Sequence, residues 1–166
     1  MIDFGYTCAM STAADDDAGE VSRLEHAPLA DDLGFLLARA AAMSQAAGNE
    51  ALATHGLKVR SYSVLALAAT GGRPSQRELA AFLRLDPSQV VALIDDLARR
   101  GLVTREPDPR DRRANVLAAT LEGRKVYRRA LADVEAGERR AHVGLSSADR
   151  AELTRLLRAV AFPAEG

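Results

Sequence analysis

The stretch SQRELAAFLRLDPSQVVALIDDLARRGLVTREPDPRDRRANVLAAT, residues 75–120, decides the fold. Ser75 followed by Glu78 is the pairing of a capping box: the hydroxyl meets an orphan backbone amide and the carboxylate reaches back to another. Leu79, Phe82 and Leu83 then fall on one helical face. A second helix start follows at Asp86, with Pro87 at the first helical position and Gln89 at the third. Val90, Leu93, Ile94 and Leu97 recur at helical spacing, and Gly101 ends the run. Only a few residues join the two helices. Leu102 to Arg105 reads as a strand, Glu106 to Arg113 as a charged turn, and Asn115 to Ala119 as the returning strand. Two helices across a tight turn, followed by a basic hairpin, are the layout of a helix-turn-helix with a wing.

At these residues the chain resembles the MarR-type winged helix-turn-helix regulators. Leu85-Asp86-Pro87-Ser88, opening a helix that closes on Arg99-Arg100-Gly101-Leu102-Val103, is similar to that family's recognition helix. Asp108-Pro109-Arg110-Asp111-Arg112-Arg113 is similar to its wing tip, with Gly123 and Arg124 beyond. The looser match runs from about Asp31 to Val160. The resemblance implies a mainly helical chain with a small β wing, and helices at both ends that form a dimerisation layer. It also implies a transcriptional regulator, commonly a repressor released by a small aromatic acid.

Composition agrees with a helical domain. The chain has 166 residues, is 48% apolar, and is only 4% aromatic with no Trp, so its core must be Leu, Val and Ala. Such a length predicts one domain, with or without a tail. A single cysteine excludes an internal disulfide framework. No apolar run is long enough to span a membrane. The acidic start of the chain is unlike a secretory signal, which predicts a cytoplasmic protein.

The net charge of −1 conceals a division. Residues 1–32 carry eight acids and one base, for −7; the remainder carries 21 bases against 15 acids, for +6. Clustered positive charge, rather than the total, marks a nucleic-acid surface, and Arg99, Arg100, Arg105, Arg110, Arg112 and Arg113 cluster at the wing.

Taken in order, residues 1–30 read as an acidic extension without sustained periodicity, expected to be disordered. Residues 31–162 read as the regulator domain. A helix over 31–54 carries an apolar stripe of Leu33, Leu36, Leu37, Ala40, Met43 and Ala47. A helix from about Lys58 to Ala69 is expected to bury Tyr62, Leu65 and Ala69. Residues 57–120 form the DNA-reading part. Thr120 caps a long helix to about Ala141, and Ser146 with Asp149 opens a last one through Leu153, Leu156, Leu157 and Val160. Helices 31–54 and 120–162 are the expected dimer layer. A symmetric dimer presents two recognition helices roughly 34 Å apart, so the operator should be an inverted repeat in double-stranded DNA.

The recognition helix places Ser88 and Gln89 in its first turn, where base edges are read. Gln89 has a second reading, as the end of a capping box. Val91 and Ala92 offer only apolar contact to thymine methyls. Asp95 and Asp96 would repel phosphates and are expected to turn aside or pair with a nearby Arg. Ser75, Gln76 and Arg77, at the start of the preceding helix, would contact phosphates. From the resemblance, Arg113 enters the minor groove, Asp111 orients it, and Arg110 and Arg112 lie near phosphates. Narrow A·T-rich grooves concentrate the negative potential that attracts such an Arg.

For an effector, Arg39 is a candidate partner of a carboxylate, with His55 and Tyr62 lining the pocket. Peroxide-sensing relatives place a cysteine where this chain has Gly34, before Phe35-Leu36-Leu37. The single thiol, Cys8, lies in the extension. His26, His55 and His142 are isolated, so no metal or other cofactor is expected. No phosphate-cradling glycine loop or facing carboxylate pair suggests an enzyme. The competing reading is a winged helix that binds another protein and not DNA, which an acidic wing would favour and the Arg-rich one opposes.

Overall fold

The computed structural model describes residues 24–108 and 114–163. Chain contacts divide into two compact units, Met1–Ala42 and Met43–Gly166. In the first, a 3₁₀ turn at Pro28–Asp31 leads into helix α1, Leu33–Leu52. The Asp32 carboxylate opens that helix by accepting the Phe35 amide at 2.8 Å.

The second unit holds the rest of α1 and the elements that follow it. A 3₁₀ turn, Ala53–His55, ends on Gly56, whose φ of 62° lies in the left-handed region open to glycine. Helix α2 spans Val59–Ala69, α3 Gln76–Leu83 and α4 Pro87–Arg99. Strands β1, Val103–Pro107, and β2, Asn115–Ala119, pair antiparallel with Val103 opposite Ala119 and Pro107 opposite Asn115. Helices α5, Leu121–Ala141, and α6, Ser147–Ala161, complete the chain.

The caps read from the sequence form. Ser75 and Glu78 make the reciprocal box, the Ser75 amide donating to the Glu78 carboxylate at 2.7 Å and the Glu78 amide to the Ser75 hydroxyl at 3.2 Å. The Thr120 hydroxyl accepts the Gly123 amide, and Ser146 with Asp149 makes a second box. Each such cap removes an orphan donor and is worth about 1 kcal/mol.

The core is aliphatic. Leu52, Val64, Leu65, Leu79, Val90, Ile94 and Leu97 are wholly inaccessible, and Ala130 of α5 joins them. Two expectations shift. The buried face of α2 is Ser61, Val64, Leu65 and Ala68, so Tyr62 and Ala69 sit at its flank, half-buried. Phe82 is 57% exposed: α3 is short and turns only Leu79 fully inward, so Phe82 stands outside the core. Its ring stacks on Phe162, just past α6, with centroids 5.7 Å apart.

Backbone contacts bind the helix pair and the hairpin together. The segment before α3 lies along the free edge of β2, with the Leu117 amide donating to the Pro74 carbonyl at 2.8 Å. At the other end, the start of α5 presses on the turn that follows α4. The Thr120 hydroxyl donates to the Gly101 carbonyl at 2.7 Å. A Cβ on Gly123 would come within 1.9 Å of the Leu102 carbonyl oxygen, so only glycine fits there.

Candidate nucleic-acid interface

Three residues, Arg84, Leu85 and Asp86, join α3 to α4. Arg84 makes this turn with φ 52°, a left-handed conformation uncommon outside glycine. Its amide bonds the last carbonyls of α3, which compensates for the strain. Asp86 caps α4 by accepting the Ser88 amide at 2.8 Å. The Ser88 hydroxyl also donates to that carboxylate, and together these bonds hold the Asp86 carboxyl below the usual carboxylate range. Asp86 thus fixes the first turn of α4.

These bonds define what the first turn can offer. The Ser88 hydroxyl proton is committed to Asp86, so Ser88 presents acceptor lone pairs. Gln89 is exposed, and the Asp86 carboxylate bonds Ser88 rather than a box closed by Gln89. Gln89 instead borders a cavity of about 440 Å³ between the start of α2 and α4, together with Lys58, Arg60, Ala92, Leu93 and Asp96. Val91 is 38% exposed. At the start of α3, Arg77 is exposed and Gln76 half-buried, while the Ser75 hydroxyl is held by Glu78.

The two acids of α4 are turned aside, as expected. Asp95 accepts from the Arg105 guanidinium at 2.5 Å, and Asp96 from Arg99 at 3.2 Å, with Arg100 at 3.7 Å. Arg100 also donates to the carbonyls of Gly56 and His55, at 2.9 and 3.0 Å. The end of α4 is thereby tied to the turn that closes α1. Arg99 and Arg100 reach Asp96 at helical spacing, but the Asp95–Arg105 pair and the Arg100 bonds to Gly56 and His55 span ten and more than forty residues, where no helical or strand period announces them.

The wing strands bury Val103 at the start of β1 and Val116, Leu117 and Ala119 on β2. The hairpin closes above Pro107 and Asn115 with the Asp108 amide donating to the Ala114 carbonyl. Arg110, Asp111, Arg112 and Arg113 lie outside the described residues.

The three residues assigned to an effector are placed as follows. Arg39 belongs to the first unit, where it lines a cavity of about 360 Å³ with Leu24, Glu25, Ala30, Phe35 and Leu36. His55 and Tyr62 belong to the second. His55 Nε2 lies 2.6 Å from a carboxylate oxygen of Asp133 on α5. Tyr62 stacks on Tyr127 with centroids 6.0 Å apart, and burial pushes its phenol up to about 12. His55 thereby ties the turn after α1 to α5, and Tyr62 packs α2 against α5.

A turn-linked helix pair with a capped reading helix, braced to a two-stranded wing, defines a winged helix-turn-helix protein. The model of the MarR family matches residues 55–114. A Thauera aromatica protein assigned as a transcriptional regulatory protein for the hcr operon is 31% identical over 141 residues, 84% of each chain. Two structures are also similar. One is a MarR family transcriptional regulator from Rhodococcus sp. RHA1, with a TM-score of 0.78 and 44% identity. The other is CouR from Rhodococcus jostii RHA1 bound to p-coumaroyl-CoA, with a TM-score of 0.77 and 45% identity. Each match covers 84% of this chain and 99% of the other. The chain belongs to the MarR family of transcriptional regulators.

Proposed function

We propose that this regulator is a homodimeric, sequence-specific DNA-binding repressor of the cytoplasm that leaves its operator on binding a small molecule with an aromatic acyl group. The observation that carries the DNA reading is the exposed first turn of α4, set by the Asp86 cap. There Ser88, Gln89 and Val91 are open to solvent, and the neighbouring acids are neutralised by arginines. In this reading Gln89 meets base edges in the major groove, Gln76 and Arg77 approach phosphates, and the wing arginines reach the adjacent minor groove. Residues 57–120 read DNA, while helices 31–54 and 120–162 form the dimer layer.

Dimerisation is supported by the apolar face of α6. Leu153, Leu156, Leu157 and Val160 are 41–64% exposed in the single chain, and a contiguous apolar stripe of this kind marks an interface. The effector class is supported by the similar regulator bound to p-coumaroyl-CoA, an aromatic acid carried as a thioester. Arg39 is the proposed cation for the effector's anionic group. His55 and Tyr62 are proposed to line the pocket, with His55 paired to Asp133 and Tyr62 stacked on Tyr127.

The test is to sequence fragments of genomic DNA retained by the purified full chain. The expected result is enrichment of one inverted repeat with half-sites about one helical turn apart. Retention without any shared sequence would refute specific reading. Release of the repeat by an aromatic acyl-CoA thioester or its free acid, with CoA alone inert, is the outcome expected of the effector class.

A further inference from the structure

The strand that leads to the wing tip is held from both faces by charge. Arg105 and Glu106 are neighbours on β1, so their side chains leave the strand on opposite sides. Arg105 meets Asp95 on the recognition helix at 2.5 Å. Glu106 meets Arg73, in the link between α2 and α3, also at 2.5 Å. Arg73 holds a left-handed backbone, φ 43°, so its reach toward β1 is fixed by the turn that carries it. Opposite both charges on β2 stand buried Leu117 and Val116, which leave the strand no room to slide. One register pair farther on, Pro107 faces Asn115, and the tip begins.

Exposed ion pairs add little to stability, so these two are not what keeps the wing folded. They can choose among wing inclinations of nearly equal energy. That choice matters for a protein that must place a helix in one groove and a hairpin in the next, because a small tilt at mid-strand is amplified at the tip. We propose that Asp95 and Glu106 are positioning residues for DNA reading: the Asp95–Arg105 and Arg73–Glu106 pairs fix the inclination of the wing to the recognition helix. They thereby set which base pairs lie under the tip without touching DNA. The inference rests on the DNA-reading function proposed above.

The test uses the full chain and the inverted repeat it selects, with a second duplex carrying G·C pairs beneath the wing. Asp95→Asn and Glu106→Gln should melt as the wild type does and lose affinity for the selected duplex about three- to tenfold. They should discriminate less between the two duplexes. Hydroxyl-radical protection under the wing should weaken or move while protection by the recognition helix stays. The reciprocal exchange, Asp95→Arg with Arg105→Asp, should restore wing protection and discrimination. Unchanged wing protection in Asp95→Asn would overturn the inference. So would equal tightening on both duplexes, which is the expected effect of merely removing a negative charge near phosphates, or failure of a folded exchange variant to restore protection. If the wild type selects no duplex, the DNA-reading function falls and the positioning role with it. If the wild type selects and the variants do not differ, only the positioning role falls.

Discussion

Tyr62 carries a consequence for alkaline stability. An unburied phenol ionises near 10, and in the fold this one is pushed up to about 12, chiefly by burial and then by Tyr127 and the acids of α5. The folded state thus favours the protonated phenol. Its contribution is fully present below about pH 10 and is lost as pH rises toward about 12, because the unfolded chain gives up its proton first. Urea midpoints should fall between about pH 9 and pH 11 in the wild type and fall less in Tyr62→Phe. An identical slope in the variant would assign the loss to other groups. At the wing, Arg113→Ala should weaken operator binding by about 1–3 kcal/mol per half-site and relax the A·T preference beneath it. Arg110→Ala should weaken all sequences alike. Anisotropy titrations on matched A·T and G·C duplexes separate the two roles.

Among the elements, α6 is the one the single chain leaves most open: none of its described residues is buried, and all but Arg150 are exposed. In the proposed dimer its apolar side packs against a partner helix. Replacing both Leu156 and Leu157 with Glu should convert the dimer to monomer in sedimentation and remove tight operator binding, because unpaired charges would enter an apolar layer. A double variant that still sediments as a dimer would place the interface elsewhere. Most elements were legible because their signals are local. Caps at Ser75, Asp86, Thr120 and Ser146 and the period of Val90, Ile94 and Leu97 need only neighbours within a few residues. The burial of α2 and the position of Phe82 were misread because a wide apolar arc does not say which of its edges faces the core. The arginine partners of Asp95 and Asp96 were anticipated only as a kind. The links from Arg100 to the Gly56 turn and from Glu106 to Arg73 depend on where the chain returns, which no period records.

For the whole molecule, the separation of charge predicts the salt response. If a dimer engages about ten phosphates, operator affinity should fall roughly 10³- to 10⁵-fold between about 50 and 200 mM salt. A flat response would favour a winged helix that contacts protein, a reading opposed by the pairing of the α4 acids with arginines. The contact of Gly123 with Leu102 bears on how such a regulator can be rebuilt. There the backbone of α5 rests directly on the backbone that leaves the recognition helix, with no side chain between them to be repacked. A hybrid that takes its DNA-reading segment from one regulator and its closing helices from another must therefore inherit residues 101–123 from a single parent. A splice at Thr120, the natural boundary by secondary structure, would cut through this backbone-on-backbone joint, whose two halves have to be matched.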